Sequence, residues 1–312
     1  MQLDACSKVL DQARERNIRT IVQLGDIFEN PKPKQNTILK LIQWLHINKD
    51  FEFHIILGNH DWESSDNHSF ELLDFVSKSK ILRHVNVYTK PTVVNFGPVH
   101  CGFVPYPFVK APKCTKPLLC FGHFEIKGAK RDNGQVIAKG LELKTSKKLD
   151  WIIGHLHCKQ PPYYPGTLYQ LSFGEPLPKG YFVCEADTVN GKLLISRRWV
   201  EFNPPYKLIN RVINKSKDLR NFDEPNTYYK LFIKSSISLP GSFLLENPQV
   251  LKIEHFREDV KVQEKGGLLI EDQSNLYYDP VDGLQNFLVG RGLTKKQINK
   301  AITMVKAVIG QN

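Results

Sequence analysis

The sequence has no Cys-x-x-Cys pair, and its six cysteines (Cys6, Cys101, Cys114, Cys120, Cys158 and Cys184) are scattered through 312 residues. A chain of that size is far larger than a disulfide-stapled module, so the cysteines read as reduced thiols in a cytosolic setting, several of them in the core. No apolar run approaches the roughly 18 to 20 residues needed to span a bilayer, which argues against membrane insertion. Met1 to Leu10 lacks a basic stretch followed by an apolar one, so it carries no signal-peptide pattern. Acidic residues are in short supply, with 32 Asp and Glu against 43 Lys and Arg, a net charge of +11. That imbalance suits a polyanionic partner such as nucleic acid, although charge alone settles nothing. Neither an internal repeat nor a long low-complexity tract is present.

Hydrophobic residues at 41% and charged residues at 24% place the chain among soluble globular proteins with a substantial core. Leu3, Cys6, Val9, Leu10 and Ala13 fall at helical spacing, so an amphipathic helix over 3–16 opens the chain. A strand over Ile18 to Leu24 follows, then, after Pro31 and Pro33, a helix with Ile38, Leu41, Ile42 and Leu45 on one face. The apolar run of Phe53 and Ile55 to Leu57 reads as a buried strand. Helix, strand, helix, strand, with a polar cluster after each strand, is an α/β pattern. A helix over Phe70 to Val76 comes next, and then strands over Val85 to Tyr88, Thr92 to Phe96, Val99 to Val104, Leu118 to Phe121 and Trp151 to Ile153. Tyr181 to Glu185 and Leu193 to Phe202 form a closing hairpin around Asn190-Gly191. Asn203-Pro204-Pro205 marks a boundary, beyond which Tyr228 to Ile233 and Val250 to His255 read as strands of a smaller domain. Val281 to Leu288 and Thr294 to Ile309 read as tail helices. Thr294 and Gln297 fit a capping box, and Ile298, Ile302, Val305 and Ile309 form a stripe that packs on its own domain or docks a partner.

The chemistry gathers at four glycine-led stretches: Gly25-Asp26, Gly58-Asn59-His60-Asp61, Gly122-His123 and Gly154-His155-Leu156-His157. Each follows an apolar run, where open α/β sheets place their ligands beyond the carboxyl ends of strands. Carboxylate and amide oxygens together with imidazole nitrogens suit manganese, iron or zinc better than calcium, which prefers oxygen alone. His155 and His157 are two apart, so a turn after Gly154 is needed to aim both at one cluster. Cys158 follows a candidate ligand and reads as a thiol packed behind it rather than as a ligand itself.

The ordered set resembles the calcineurin-like metallophosphoesterases, and within them Gly25-Asp26-Ile27-Phe28, Gly58-Asn59-His60-Asp61, Gly122-His123-Phe124-Glu125 and Gly154-His155-Leu156-His157 are most similar to the SbcD family of DNA repair and recombination nucleases. The resemblance covers roughly residues 1–202, including Tyr164-Pro165-Gly166-Thr167 and the Gly-Tyr-Phe strand beginning at Gly180. It implies an α/β fold: a metallophosphoesterase-type β-sandwich flanked by helices, over residues 1–203. A small α+β capping or DNA-binding domain (204–279) and a helical partner-docking tail (280–312) would follow by position. It also implies two divalent metal ions, manganese by expectation, with Asp26 bridging them. Asn59, His123 and His155 would complete one site, and His157 would serve the other. His60 would act at the phosphate, with Asp61 holding its ring and favouring the charged form. Two such cations, about 3.5 to 4 Å apart, hold the scissile phosphate and activate water. The implied partners are DNA, an SbcC-like coiled-coil ATPase subunit and a second copy of the chain, in the cytoplasm, which is the host's if the chain is phage-encoded.

The family's first motif, Asp-x-His on a strand before the opening helix, has no counterpart here. Asp66-Asn67-His68 has the right letters but follows the third motif, and His68 reads as a solvated loop residue. One metal site then has four candidate ligands and the other only Asp26 and His157, and a sheet edge beside Ile18 to Leu24 is expected to lie unpaired. A start assigned too far downstream or a fragment, a split gene, and a degenerate nuclease that keeps its binding functions all fit this gap. The expectation is weak or no nuclease activity for this stretch of sequence. The competing readings are a non-catalytic DNA-binding scaffold and a phosphatase of the same superfamily.

Overall fold

The computed structural model describes residues 2–64, 67–79 and 81–256. The chain opens with α1 (Gln2–Glu15), β1 (Thr20–Gln23), α2 (Gln35–Ile47) and β2 (Glu52–Ile56). Short strands β3 (Trp62–Ser64) and β4 (Asn67–His68), helix α3 (Glu71–Lys78) and strand β5 (Val85–Tyr88) complete this part. β1, β2 and β5 form a parallel sheet in the order β1-β2-β5. A second sheet takes β6 (Thr92–Phe96), β7 (Val99–Val104), β8 (Leu118–His123) and β9 (Leu149–Gly154), in that order. Its β6–β7 pair is antiparallel and its β7–β8 and β8–β9 pairs are parallel.

Period-two alternation decides which side chain meets which layer. On β2, Phe53 and Ile55 face a core shared with Leu10 and Ala13 of α1, Leu41 and Leu45 of α2, and Leu73 and Val76 of α3. Ile56 faces the opposite way and meets Tyr88, Phe103, Phe121 and Ile152, so the two sheets pack face to face. On β8, Leu119 and Phe121 join this middle layer, while Leu118 and Cys120 turn outward to Trp151, Ile153, Phe124 and Tyr164. The result is the expected β-sandwich flanked by helices. The Asn190-Gly191 hairpin joins β10 (Lys179–Val189) to β11 (Lys192–Phe202) in continuous antiparallel register from Lys179↔Phe202 to Val189↔Lys192. Its Phe182, Leu193 and Ile195 pack into the middle layer. Phe103 has no exposed surface in that layer, and truncating it to alanine would cost about 3–5 kcal/mol.

After Asn203-Pro204-Pro205 a parallel sheet runs β12 (Lys207–Ile213), β13 (Thr227–Lys234) and β14 (Val250–Phe256), with helix α4 (Phe243–Glu246) between the last two. It has its own core of Ile213, Phe222, Tyr229, Leu231, Ile233, Phe243 and Val250. Strand β12 is not among the expected strands, because the partner that defines it begins 20 residues further along. Gln170 ties this sheet to the preceding residues, donating to the Leu208 carbonyl at 3.0 Å and accepting from the Leu208 amide at 2.9 Å.

Three further points bear on the expectations. Among the described residues β1 pairs only with β2 and stands at the edge of its sheet. His68 lies in a bridge with Trp62 rather than in an open loop, and its Nδ1 accepts the Phe70 amide at 3.2 Å. The tail helices, the Ile298 to Ile309 stripe and residues 257–279 of the smaller domain lie outside the described residues. No described helix is long and apolar enough to cross a membrane.

Candidate metal centre

Four strand ends converge at the seam between the two main sheets. β1 delivers Gly25-Asp26, β2 delivers Gly58 to Asp61, β8 ends on His123, and β9 delivers Gly154-His155. The backbone is forced to let them meet. Asp26 has φ 57° and His155 has φ 90°, conformations that side-chain-bearing residues rarely adopt and that cluster at functional sites. A Cβ on Gly58 would collide with the Asp26 carboxylate and its backbone nitrogen, and one on Gly154 would collide with the Leu24 carbonyl. Only glycine allows these turns to touch.

The polar atoms brought together are all able to ligate a metal. The His123 ring is 1% exposed, and its Nδ1 lies 2.6 Å from the Leu24 carbonyl, to which it must donate its N–H. In the neutral ring the other nitrogen, Nε2, then carries a lone pair. That lone pair faces Asn59 Oδ1 at 3.0 Å and Asp26 Oδ2 at 3.1 Å. Asn59 Oδ1 also faces His155 Nδ1 at 2.8 Å. Between His123 Nε2 and Asp26 Oδ2 two acceptors meet, and a proton or a metal cation resolves that contact. Burial and the neighbouring His123 hold the His155 pKa below the usual value despite Glu125 and Asp26, so the ring is neutral, with its one N–H on Nδ1 towards Asn59 or on Nε2 towards Glu125. Burial pushes the Asp26 pKa up, yet a positive charge at His123 Nε2, which a proton there supplies in the metal-free site, and the His60 amide outweigh this and hold it below the carboxylate range. It is therefore ionised. Donor atoms spaced at these distances match neighbouring corners of a coordination shell with bonds of about 2.1 Å. The residues present fit a divalent metal, and Asp26, His123 and His155 form a group able to hold one.

The two residues expected beside the ligands behave differently from each other. His60 is exposed; its amide donates to Asp26 Oδ1 at 2.9 Å and its Nδ1 lies 3.0 Å from the Glu29 carbonyl. Nε2 is thereby left towards solvent. Asp61 does not hold the His60 ring, which corrects the expected pairing. Its carboxylate, fully buried, accepts the amides of Asp26 (2.8 Å), Gly58 (3.0 Å) and Phe28 (3.0 Å) and the Ser69 hydroxyl (3.2 Å). The Glu29 carbonyl takes the ring instead. Burial raises the Asp61 pKa, with the amides of Gly58 and Phe28 pulling against it. Asp61 thus staples the Asp26 loop to the Asn59 loop.

His157 stands in a second group, with Asp132 and Glu175. Its Nδ1 lies 3.0 Å from Asp132 Oδ2 and 3.1 Å from Glu175 Oε1, which leaves Nε2 as the nitrogen that could reach a metal. Burial would lower the His157 pKa, but the two carboxylates overturn it and raise it to about 9. Cys158 donates to Asp132 Oδ1 at 2.9 Å and its thiol is pushed up to about 12, chiefly by burial, so it packs behind His157 as an inert thiol. Asp132, Glu175, Lys179, Glu125 and Arg131 were not singled out from the sequence. Glu125, within hydrogen-bond reach of Arg131 through both oxygens (2.8 and 3.0 Å), faces His155 Nε2 at 3.5 Å. Its place two residues after His123 was the one local signal for any of them.

The candidate residues from Asp26 to His157 fall inside the stretch that a family comparison covers, and Glu175 and Lys179 lie beyond it. A family model for calcineurin-like phosphoesterases matches residues 1–160. Exonuclease subunit 1 of Enterobacteria phage T4 is 28% identical over 209 residues, which cover 60% of this chain and 59% of that protein. The chain therefore spans less than two thirds of the length of that relative. With the family model matching half of its length, the chain belongs to the calcineurin-like phosphoesterases.

Proposed function

We propose that the chain is a metal-dependent phosphodiesterase that hydrolyses DNA, the SbcD-type nuclease subunit of a recombination and repair complex. The observation that carries this reading is the convergence of four atoms able to ligate a metal, Asp26 Oδ2, His123 Nε2, Asn59 Oδ1 and His155 Nδ1, each 2.8 to 3.1 Å from the next. Asp26, Asn59, His123 and His155 would hold one divalent ion, manganese in this reading, and His157 with Asp26 would serve a second. Bound there, such ions polarise a phosphate and generate a nucleophile from water at neutral pH. His60 would present its free Nε2 to the phosphate or the leaving oxygen, with the Glu29 carbonyl fixing the ring. Asp61 would keep the Asp26 and Asn59 loops in register.

The net charge of +11 favours DNA over a small neutral ester, and the phage relative is an exonuclease subunit by name. Residues 204–279 would cap the site and contact DNA, and residues 280–312 would dock a coiled-coil ATPase subunit. A second copy of the chain would complete the complex. The test is hydrolysis of end-labelled linear DNA in manganese. Slow cleavage, held back by a second site with only Asp26 and His157 and abolished by chelation and by Asp26→Asn, is the expected result, and robust cleavage would remove the impairment from this reading. Salt-dependent DNA binding without cleavage would replace the reading with a scaffold, and preference for a small phosphomonoester would replace it with a phosphatase.

A further inference from the structure

The His157 cluster contains a buried ion pair whose connections reach further than the ring. Glu175 and Lys179 are each 1% exposed at the side chain, and their charges meet at 2.8 Å. The Lys179 ammonium has two further acceptors, the Thr167 hydroxyl at 3.1 Å and the His157 backbone carbonyl at 3.1 Å. Glu175 Oε1 faces His157 Nδ1 at 3.1 Å and also accepts from the Ser172 amide (3.0 Å) and hydroxyl (3.1 Å). The Leu171 amide lies 3.2 Å from both carboxylate oxygens. With those donors in place Glu175 has no free lone pair directed at a further ligand, so it is not itself a metal ligand. A buried ion pair of this kind contributes little net stability over an apolar pair of the same shape. Its contacts point instead to the His157 ring.

We infer that Glu175 and Lys179 are positioning residues that grip His157 at both ends, Lys179 at the backbone carbonyl and Glu175, with Asp132, at ring Nδ1. The ring is then fixed with Nε2 as its only outward nitrogen. This is the arrangement by which carboxylates orient metal-bound histidines. The inference rests on the proposed function for what Nε2 does, but the grip on the ring stands independently of it. Asp132 closes the ring's contact from the solvent side, at 31% exposure, and is itself held by the Cys158 thiol.

The experiment has two readouts on the full chain. The first is the His157 Nδ1-bound proton, seen by side-chain nitrogen–proton correlation in metal-free protein. It is expected as a solvent-protected signal in the native chain and as a lost or exchange-broadened one in Glu175→Gln. The second is manganese affinity by calorimetric titration. Glu175→Gln is expected to weaken the component that His157→Ala removes by about 10- to 100-fold, and to leave the component that Asp26, Asn59, His123 and His155 provide unchanged. If Glu175→Gln fails to fold because Lys179 is left unpaired, Asp132→Asn at the rim and the charge-free pair Glu175→Gln/Lys179→Met carry the same two readouts. An unchanged Nδ1 signal in all of these variants overturns the inference. A chain that binds no manganese, yet loses the protected proton in the variants, overturns the metal reading and leaves the positioning role standing.

Discussion

The two histidine clusters are built from the same residue types and solve opposite electrostatic problems. Around Asn59, possible ligand atoms crowd together, with Asp26 Oδ2 and Asn59 Oδ1 both facing His123 Nε2 and Asn59 Oδ1 also facing His155 Nδ1. Around Glu175, every close contact pairs a donor with an acceptor: an imidazole, an ammonium, two backbone amides and a hydroxyl surround one carboxylate. The first cluster is incomplete without a cation, and the second is complete without one. The presence of histidines and carboxylates does not distinguish them; which donors already surround the carboxylate does.

The largest expected effect breaks the first cluster. Asp26→Asn should lower manganese affinity by more than about 100-fold, beyond the 10- to 100-fold typical of residues behind the ligands, while barely changing the stability of the metal-free protein; His123→Ala should lower affinity as much and also destabilise the metal-free fold, because its ring is buried and bonded to the Leu24 carbonyl. Calorimetric titration and urea denaturation with chelator present measure the two halves. Next, Asp61→Ala should destabilise the metal-free fold by about 3 kcal/mol or more, because it strands two buried backbone amides and a partly buried third at once. Urea denaturation gives this directly, and a loss under about 1 kcal/mol would remove the stapling role.

The second cluster should show itself in pH. The His157 pKa, raised to about 9, lies above its unfolded value of about 6.5. The associated stability is fully present below pH of about 6.5 and is lost as pH rises through about 9, by up to roughly 3 kcal/mol. Denaturation of the chelated protein across that window should show the loss, and His157→Gln should flatten it. The smallest effect sharpens the division between the clusters: Cys158→Ala should change manganese affinity less than about threefold. The thiol touches Asp132 and not a metal-facing atom, and a larger change would show that Asp132 bears directly on the metal.

Much of the fold was legible because its signals are local. The continuous apolar run of Leu118 to Phe121 marks a strand, and the apolar stripe of Leu41 and Leu45 fixes one face of a helix, without knowledge of any partner. The four glycine-led turns were legible for the same reason, since each marks a strand end with a ligand-type residue behind it. What escaped depends on contacts distant in sequence. Glu175 and Lys179 lie 18 and 22 residues from His157, with no periodicity to link them, and β12 is defined by a strand 20 residues away. Asp61 misled for the opposite reason. Adjacency to His60 suggested a pair, but neighbouring residues in a turn point apart, and the carboxylate went inward to the backbone amides while the imidazole went out.

The central claim is that Asp26, Asn59, His123 and His155 form a metal site, and anomalous diffraction at the manganese edge from crystals grown with manganese tests it most directly. The account predicts a peak bonded to Asp26 Oδ2, Asn59 Oδ1, His123 Nε2 and His155 Nδ1. A peak only among Asp132, His157 and Glu175, or none within bonding distance of Asn59, would contradict it.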